Sequence, residues 1–520
     1  MRASVRRMLG YGRQERGFAM IAVMITMMVS SLLVAAALSA AEQDARLTQN
    51  DLDQKQAYLA AKAGVAAYQF FLGQDPNYWI TCPTPTGSVP TDPTATYTIT
   101  PLPATGQAAC TPNNPVTSMI EAFGPPNGTF RVRSSGVSHG VQRSIIATFQ
   151  NRSFLDYLYY TVYETLSPSA YQSQADRTAA ASRCNVYWRN GRQPSNPPNQ
   201  SYCQQIFFSS NDVINGPLHT EDELAICGSP VFGRPGRNDA IEVVALAPGH
   251  SNQGNGGCPD NPVFNTSSGK LNTHAASIQP PPNNAQLKLL AQSSYQWTGQ
   301  TDIVLNGSTM TVTNRNLNGG QPTSMPFPSN GVVYVSTSVC NTLYTPYGVT
   351  YTRFSSTWSY SGARGCGTLT VHGSYSSSLT MGSDNDIVID GSVTRPAGNS
   401  ALLGLVAQNF VRIYHPCSNG SNQTGTLFNP TITGAILSLA GSFIVDNYDC
   451  GSLLGTLNVT GAIAQIYRGP VGIIGQSGYV KNYSYDDTLR AEEPPHFLEP
   501  IQAAWHVVRE TECNPGTTVC

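Results

Sequence analysis

The sequence predicts an α+β protein: one long N-terminal helix packed on a small antiparallel sheet, with a large all-β domain inserted in that sheet unit. Three observations predict it. An uncharged run of 24 residues, Phe18 to Ala41, continues without a proline into a polar helical pattern that stops near Gly73. Short runs of β-branched and aromatic residues between glycine and proline turns follow it at once. Between about 154 and 490, short strands recur and run into glycine, and the chain's last stretch returns to the texture of the first strands.

Each element follows from its residues. The apolar run spans roughly 36 Å at about 1.5 Å rise per residue, enough to cross a bilayer. Arg2, Arg6, Arg7, Arg13 and Arg16 precede it and hold that end in the cytoplasm. The run is too long for the apolar core of a secretory signal peptide, although Ser39-Ala40-Ala41 imitates a cleavage site. From Glu42 the pattern places Ala45, Leu52, Leu59, Ala63, Ala66 and Phe70 on one stripe, which is the expected packing face. The whole helix, about Phe18 to Leu72, reaches roughly 80 Å.

Three strands are then expected at 94–100 (TATYTIT), 128–136 (GTFRVRSSG) and 141–150 (VQRSIIATFQ). Strands closing on Gly216, Gly307, Gly373, Gly391, Gly434 and Gly461 suggest an irregular β-solenoid, with a Greek-key sandwich as the alternative. Pro248 to Asn284 reads as one long loop, and Trp505, Val507 and Val508 as a final strand completing the first sheet. The divisions expected are a basic leader 1–17, a helix 18–75 with 18–41 in the membrane, a sheet 76–153, the insertion 154–490 and the returning strand 491–520.

Composition sets the compartment and excludes some partners. Only 12% of the residues are charged, well below an average soluble domain. Residues 1–17 carry five arginines and one glutamate, a net +4, which leaves −6 for the rest of a chain whose net charge is −2. A global pull toward nucleic acid is therefore absent. Twelve cysteines, an even number, all lie from Cys82 onward, which suits disulfides formed after export. Chain order suggests Cys82 with Cys110, Cys184 with Cys203, Cys227 with Cys258, Cys340 with Cys366, Cys417 with Cys450, and Cys513 with Cys520, although sequence alone does not fix connectivity. No CxxC pair occurs, so no zinc knuckle is expected.

"RG" followed by "FAMIAVMITMMVSSLLVAAALSAAEQD", and then "QAYLAAKAGVAAYQFFL", resembles the start of type IV pilins and secretion pseudopilins, in particular the larger PilX-type minor pilins. The resemblance covers about the first 75 residues. It implies cleavage by a prepilin peptidase between Gly17 and Phe18, methylation of Phe18, and assembly with other pilins through the helix. It implies a subunit anchored in the inner membrane with its head outside, then carried to the cell surface. Most pilins have a glutamate where this chain has Ala22, and the large tip subunits of related systems lack it, which points to the tip. The insertion resembles, in architecture only, the solenoid in the head of large competence minor pilins of thermophilic bacteria.

No constellation demands an enzyme, and none implies a cofactor. Gly136 to Gly140 (GVSHG) matches the nucleophile-elbow pattern but joins two strands, so a hairpin turn is expected. Asp384, Asp386 and Asp390 in "GSDNDIVIDG" fail the EF-hand pattern at Val388, and His219 with Glu221 lacks HExxH spacing, so no metal is expected. The function implied is a minor pilin-like subunit, at the tip, touching DNA or a surface glycan. The alternatives are a single-span surface binding protein and a β-helical carbohydrate-active enzyme. One basic-aromatic cluster, Arg183, Tyr187, Trp188, Arg189 and Arg192, could begin a groove for such a ligand.

Overall fold

The structure is a computed structural model. It describes residues 16–75, 77–113, 115–120, 129–150, 153–171, 173–192, 203–340, 352–354, 357–359, 365–490, 492–501 and 505–513. Helix α1, Arg16–Gln74, is unbroken. Its most apolar window has a mean hydropathy of 2.4 and no buried residue, so it is long and apolar enough to cross a membrane.

The second half of α1 lies on an antiparallel meander. Strands β1 (Thr86–Val89), β2 (Asp92–Leu102), β3 (Thr129–Ser138) and β4 (Val141–Gln150) pair in chain order. The C-terminal strand His506–Glu512 adds to the free edge of β4. Alternation puts Ile99, Phe130, Val132, Ile145, Ala147 and Phe149 in the core beneath the helix. Trp505 packs edge-on against Phe130 at 4.7 Å, and Trp79 stacks on Phe130 at 5.5 Å, so the last strand and the segment after the helix share one aromatic core.

The helix face in contact with the sheet is not the expected one. Ala57, Ala60, Ala61, Val65, Tyr68 and Leu72 are buried, whereas Leu52, Leu59 and Phe70 are 47%, 59% and 62% exposed. Close approach decides the matter. A Cβ on Gly136 would overlap the carbonyl oxygen of Ala57, so at this level the helix touches the sheet backbone and only the small side chains of Ala57, Ala60 and Ala61 fit. Val65, Tyr68 and Leu72 pack into the core farther along the helix, and Leu52, Leu59 and Phe70 are left on the opposite side.

The inserted region is a parallel β-solenoid, and the chain joins it in the middle. Strand Tyr159–Tyr163 pairs with Leu453–Tyr467 on one side and Leu218–Thr220 on the other. From there, Val213–Asn215, Val231–Phe232 and Val263–Phe264 stack outward in one direction, as do Leu218–Thr220 and Ile241–Val243. The chain then climbs the flank. Ile278 donates its N–H to Glu221 at 2.6 Å, and Asn284 donates to the carbonyls of Ser383 and Val406 at 2.7 and 3.3 Å.

At the far end Gln296–Thr298 and Thr301–Gly307 begin the return, pairing with Val332–Ser336 and Leu369–Tyr375. Later strands descend to Leu453–Tyr467, and Ser477–Tyr485 pairs with both Leu453–Tyr467 and Val213–Asn215. One coil is therefore shared by the outgoing strand Ser477–Tyr485 and the incoming strand Tyr159–Tyr163. That geometry lets both connections to the head leave from one level of the stack.

The core is a set of aliphatic columns. Ile303, Val371, Ile389, Ile413 and Val445 lie in register on successive strands and are fully buried. Each contributes roughly 1.5–3 kcal/mol that a lone strand could not gain. Two expectations are corrected here. Leu369–Tyr375, Ile387–Thr394, Thr431–Ser438 and Leu453–Tyr467 do not end at Gly373, Gly391, Gly434 and Gly461 but run through them, with Gly434 and Gly461 in register. A Cβ on Gly461 would overlap the Gly434 carbonyl, which makes glycine the residue of a corner between faces. The stretch from Pro248 is not one loop either, since His250–Ser251 and Val263–Phe264 each add to a coil.

Candidate functional site

Most of the exposed large hydrophobic residues among the described residues lie on α1. Met20 to Leu38 is almost wholly apolar, and Leu52, Leu59 and Phe70 form an exposed stripe beside the head. Ala22 lies in the apolar part. Gly17 and Phe18 fall in the first turn of the helix, and the leader 1–15 lies outside the described residues. Such a helix buries one face against its own head and leaves the other uncovered.

The basic-aromatic cluster is built differently from a groove. Arg192 is buried and paired with Asp222, and it also donates to the carbonyls of Val186 and Glu164 at 3.2 and 3.3 Å. The Trp188 N–H donates to the same Asp222 at 2.7 Å. Arg192 thus pins the loop and is not available to an external ligand, which corrects its expected role. A charge is tolerated there because its partner is equally buried.

Tyr187 packs on Tyr163 at 5.3 Å, Tyr163 stacks on Tyr467 at 5.1 Å, and the Arg189 guanidinium sits 4.9 Å from the Tyr187 ring centre. The rings form a ladder along the coils and occupy each other's faces, which is unlike the free platforms that stack bases. Burial pushes the Tyr187 hydroxyl up to about 12, so it stays a neutral donor. Arg183, Arg189 and part of Trp188 remain at the surface, with Arg183 in the last turn of helix Gln174–Arg183.

The GVSHG pentapeptide is the hairpin between β3 and β4, with His139 and Gly140 at positive φ of 46° and 84°. Ser138 Oγ and Asp53 Oδ1 both approach the same ring nitrogen of His139, Nδ1, at 3.3 and 3.0 Å. A hydroxyl–imidazole–carboxylate relay needs the two partners on different ring nitrogens. Ser138 instead donates to Gln56 at 3.0 Å, tying the hairpin to α1.

The acids of "GSDNDIVIDG" serve three separate contacts. Asp384 accepts from the Tyr334 hydroxyl at 2.6 Å and the Thr337 N–H at 2.8 Å. Asp386 and Asp446 flank the fully buried Arg412 at 3.0 and 2.7 Å. Asp390 meets His372 Nδ1 at 2.8 Å and sits inside a strand, not in a turn. His219 is buried between Glu221, two residues along its own coil, and Glu242 of the next coil, each 3.0 Å away. Burial alone lowers its pKa, but the hydrogen bonds to the two carboxylates outweigh it and the net shift is upward.

Among the described residues, disulfides join Cys82 to Cys110, Cys184 to Cys203, Cys227 to Cys258, Cys340 to Cys366, and Cys417 to Cys450. Cys520 lies outside the described residues. Sequence reasoning missed the pinning role of Asp222 and the partners of Arg412, because these acids are distant in sequence and are brought close only by the stacking of neighbouring coils.

No family model matches the chain, and no curated protein sequence does. Among solved structures, the competence-associated pilin ComZ from Thermus thermophilus is similar over 89% of this chain and 97% of its own, at 13% identity and a TM-score of 0.28. Identity and score this low do not establish a shared function.

Proposed function

We propose that the chain is a minor pilin-like subunit of a type IV pilus or related filament, placed at the tip, whose solenoid makes the contact with DNA or a surface glycan. The observation that carries this reading is the division of α1. Its inner face, with Ala57, Ala60, Ala61, Val65, Tyr68 and Leu72, locks onto the head, while Leu52, Leu59 and Phe70 on the other face, continuous with a membrane-length segment, stay uncovered. A plain membrane anchor needs no apolar stripe beside a folded head, whereas a filament subunit uses one to bundle with neighbouring helices.

On this reading the inner membrane covers the apolar half before assembly, a prepilin peptidase cuts after Gly17, and other pilins then take the membrane's place. Ala22 favours the tip because a subunit with none ahead of it has no neighbouring amino terminus to neutralise. The solenoid would crowd a helical shaft but not its end. The test is fractionation of sheared filaments with gold labelling of the solenoid. Label at filament ends supports the proposal; label evenly along the shaft removes the tip placement, and protein confined to the membrane removes the filament role.

A further inference from the structure

Three successive strands bring an imidazole and two carboxylates together on the outer surface of the solenoid. Asp302 lies in Thr301–Gly307, His372 in Leu369–Tyr375 and Asp390 in Ile387–Thr394. One ligand atom from each is within 4.8 Å of the other two. Alternation explains the direction: Ile303, Val371 and Ile389 point into the core, so their neighbours 302, 372 and 390 point out.

Register explains the proximity. Asp302 is level with Thr370 and Val304 with His372, so Asp302 reaches His372 on a diagonal. The next ladder slips between Val371 and Gly373, and the slip brings Asp390 beside the imidazole. Gly391 keeps the space open, since a Cβ there would lie 2.9 Å from the His372 Cβ. The Asp390 side chain is 2% exposed and that of His372 31%, so a held carboxylate backs an imidazole that solvent reaches.

We propose that Asp302, His372 and Asp390 bind one divalent transition cation of the zinc class. Two carboxylates match the charge of such an ion. The imidazole selects against calcium and magnesium, which prefer six or more oxygen ligands. Zinc takes nitrogen and oxygen ligands at about 2.0–2.2 Å, which needs the three atoms to draw in to roughly 3.3 Å from one another by side-chain rotation. The tautomer with its proton on Nε2 leaves Nδ1 for the ion, in place of the hydrogen bond to Asp390. Hydrogen-bonded strands fix the backbones, and three protein ligands leave a fourth position facing solvent for water or a ligand's carboxylate.

The test uses the full chain in detergent, stripped with a chelator and then equilibrated with Zn²⁺, with bound metal counted by mass spectrometry. Wild type is expected to hold one more equivalent than His372→Gln, and Asp302→Asn is expected to weaken that equivalent by about tenfold or more. Zn²⁺ should raise the thermal midpoint of wild type and not of His372→Gln. Far-UV circular dichroism identifies variants that keep the fold, and Asp302→Asn serves if the histidine variant does not. Equal zinc content in wild type and folded variants would overturn the site, and equal stabilisation by Ca²⁺ would overturn the class of ion.

Discussion

Ile463 donates its backbone N–H to the carbonyl of Leu158 at 2.8 Å, joining the last full coil of the solenoid to the strand by which the chain arrives. The same incoming segment receives Pro217 on its other side, where the Leu158 N–H meets that carbonyl at 2.9 Å. The stack is therefore continuous only when its two ends are both present. A fragment of residues 153–490 is expected to be soluble and to unfold in one cooperative transition. A fragment of 280–490, which leaves Ile463–Tyr467 and Asn482–Ser484 without their partner strands, is expected to aggregate. Size-exclusion chromatography with thermal circular dichroism checks both outcomes.

The contact of α1 with the sheet is set by backbone approach. Gly136→Val is expected to destabilise the head by roughly 1–3 kcal/mol, because its Cβ must displace the helix. A Leu59→Ser change on the exposed stripe is expected to leave head stability within about 0.5 kcal/mol while weakening association in filaments. Chemical denaturation of detergent-solubilised protein separates the two.

Helix and head strands were legible in the sequence because charge-free length and β-branched runs are local signals. The packing face of α1 was misread because Ala57, Ala60, Ala61 and Gly64 carry little hydropathy, and closeness to the sheet, not greasiness, selected them. A solenoid was legible from strands that run into glycine. The place where the chain joins it was not, since that depends on the pairing of Tyr159–Tyr163 with strands far away in the sequence. Arg192 looked like a ligand contact for the same reason, as its neutralising partner Asp222 comes from another coil.

Arg412 supports two carboxylates with no exposure of its own. Arg412→Met is expected to cost about 3–5 kcal/mol, because Asp386 and Asp446 are left buried without a counter-charge. Replacing all three by apolar residues of similar volume is expected to be neutral or stabilising by about 1–4 kcal/mol. Urea unfolding followed through the buried Trp297 measures the difference.

His219 ties stability to pH. Its pKa is raised in the folded protein, so the stabilisation is fully present below the ordinary value of 6.5 and is lost as pH rises through the higher folded value. Burial also raises Glu493 and Glu499, which act with the same sign, so the comparison is with a His219→Gln variant. The thermal midpoint of wild type is expected to fall more steeply than that of the variant above pH 6.5.

The central claim is that the long helix belongs to a processed filament subunit. Mass spectrometry of the N-terminus, on protein recovered from filaments or membranes, tests it most directly. The account predicts a mature chain beginning at methylated Phe18, with residues 1–17 removed. A mature chain beginning near Ala41 would contradict it.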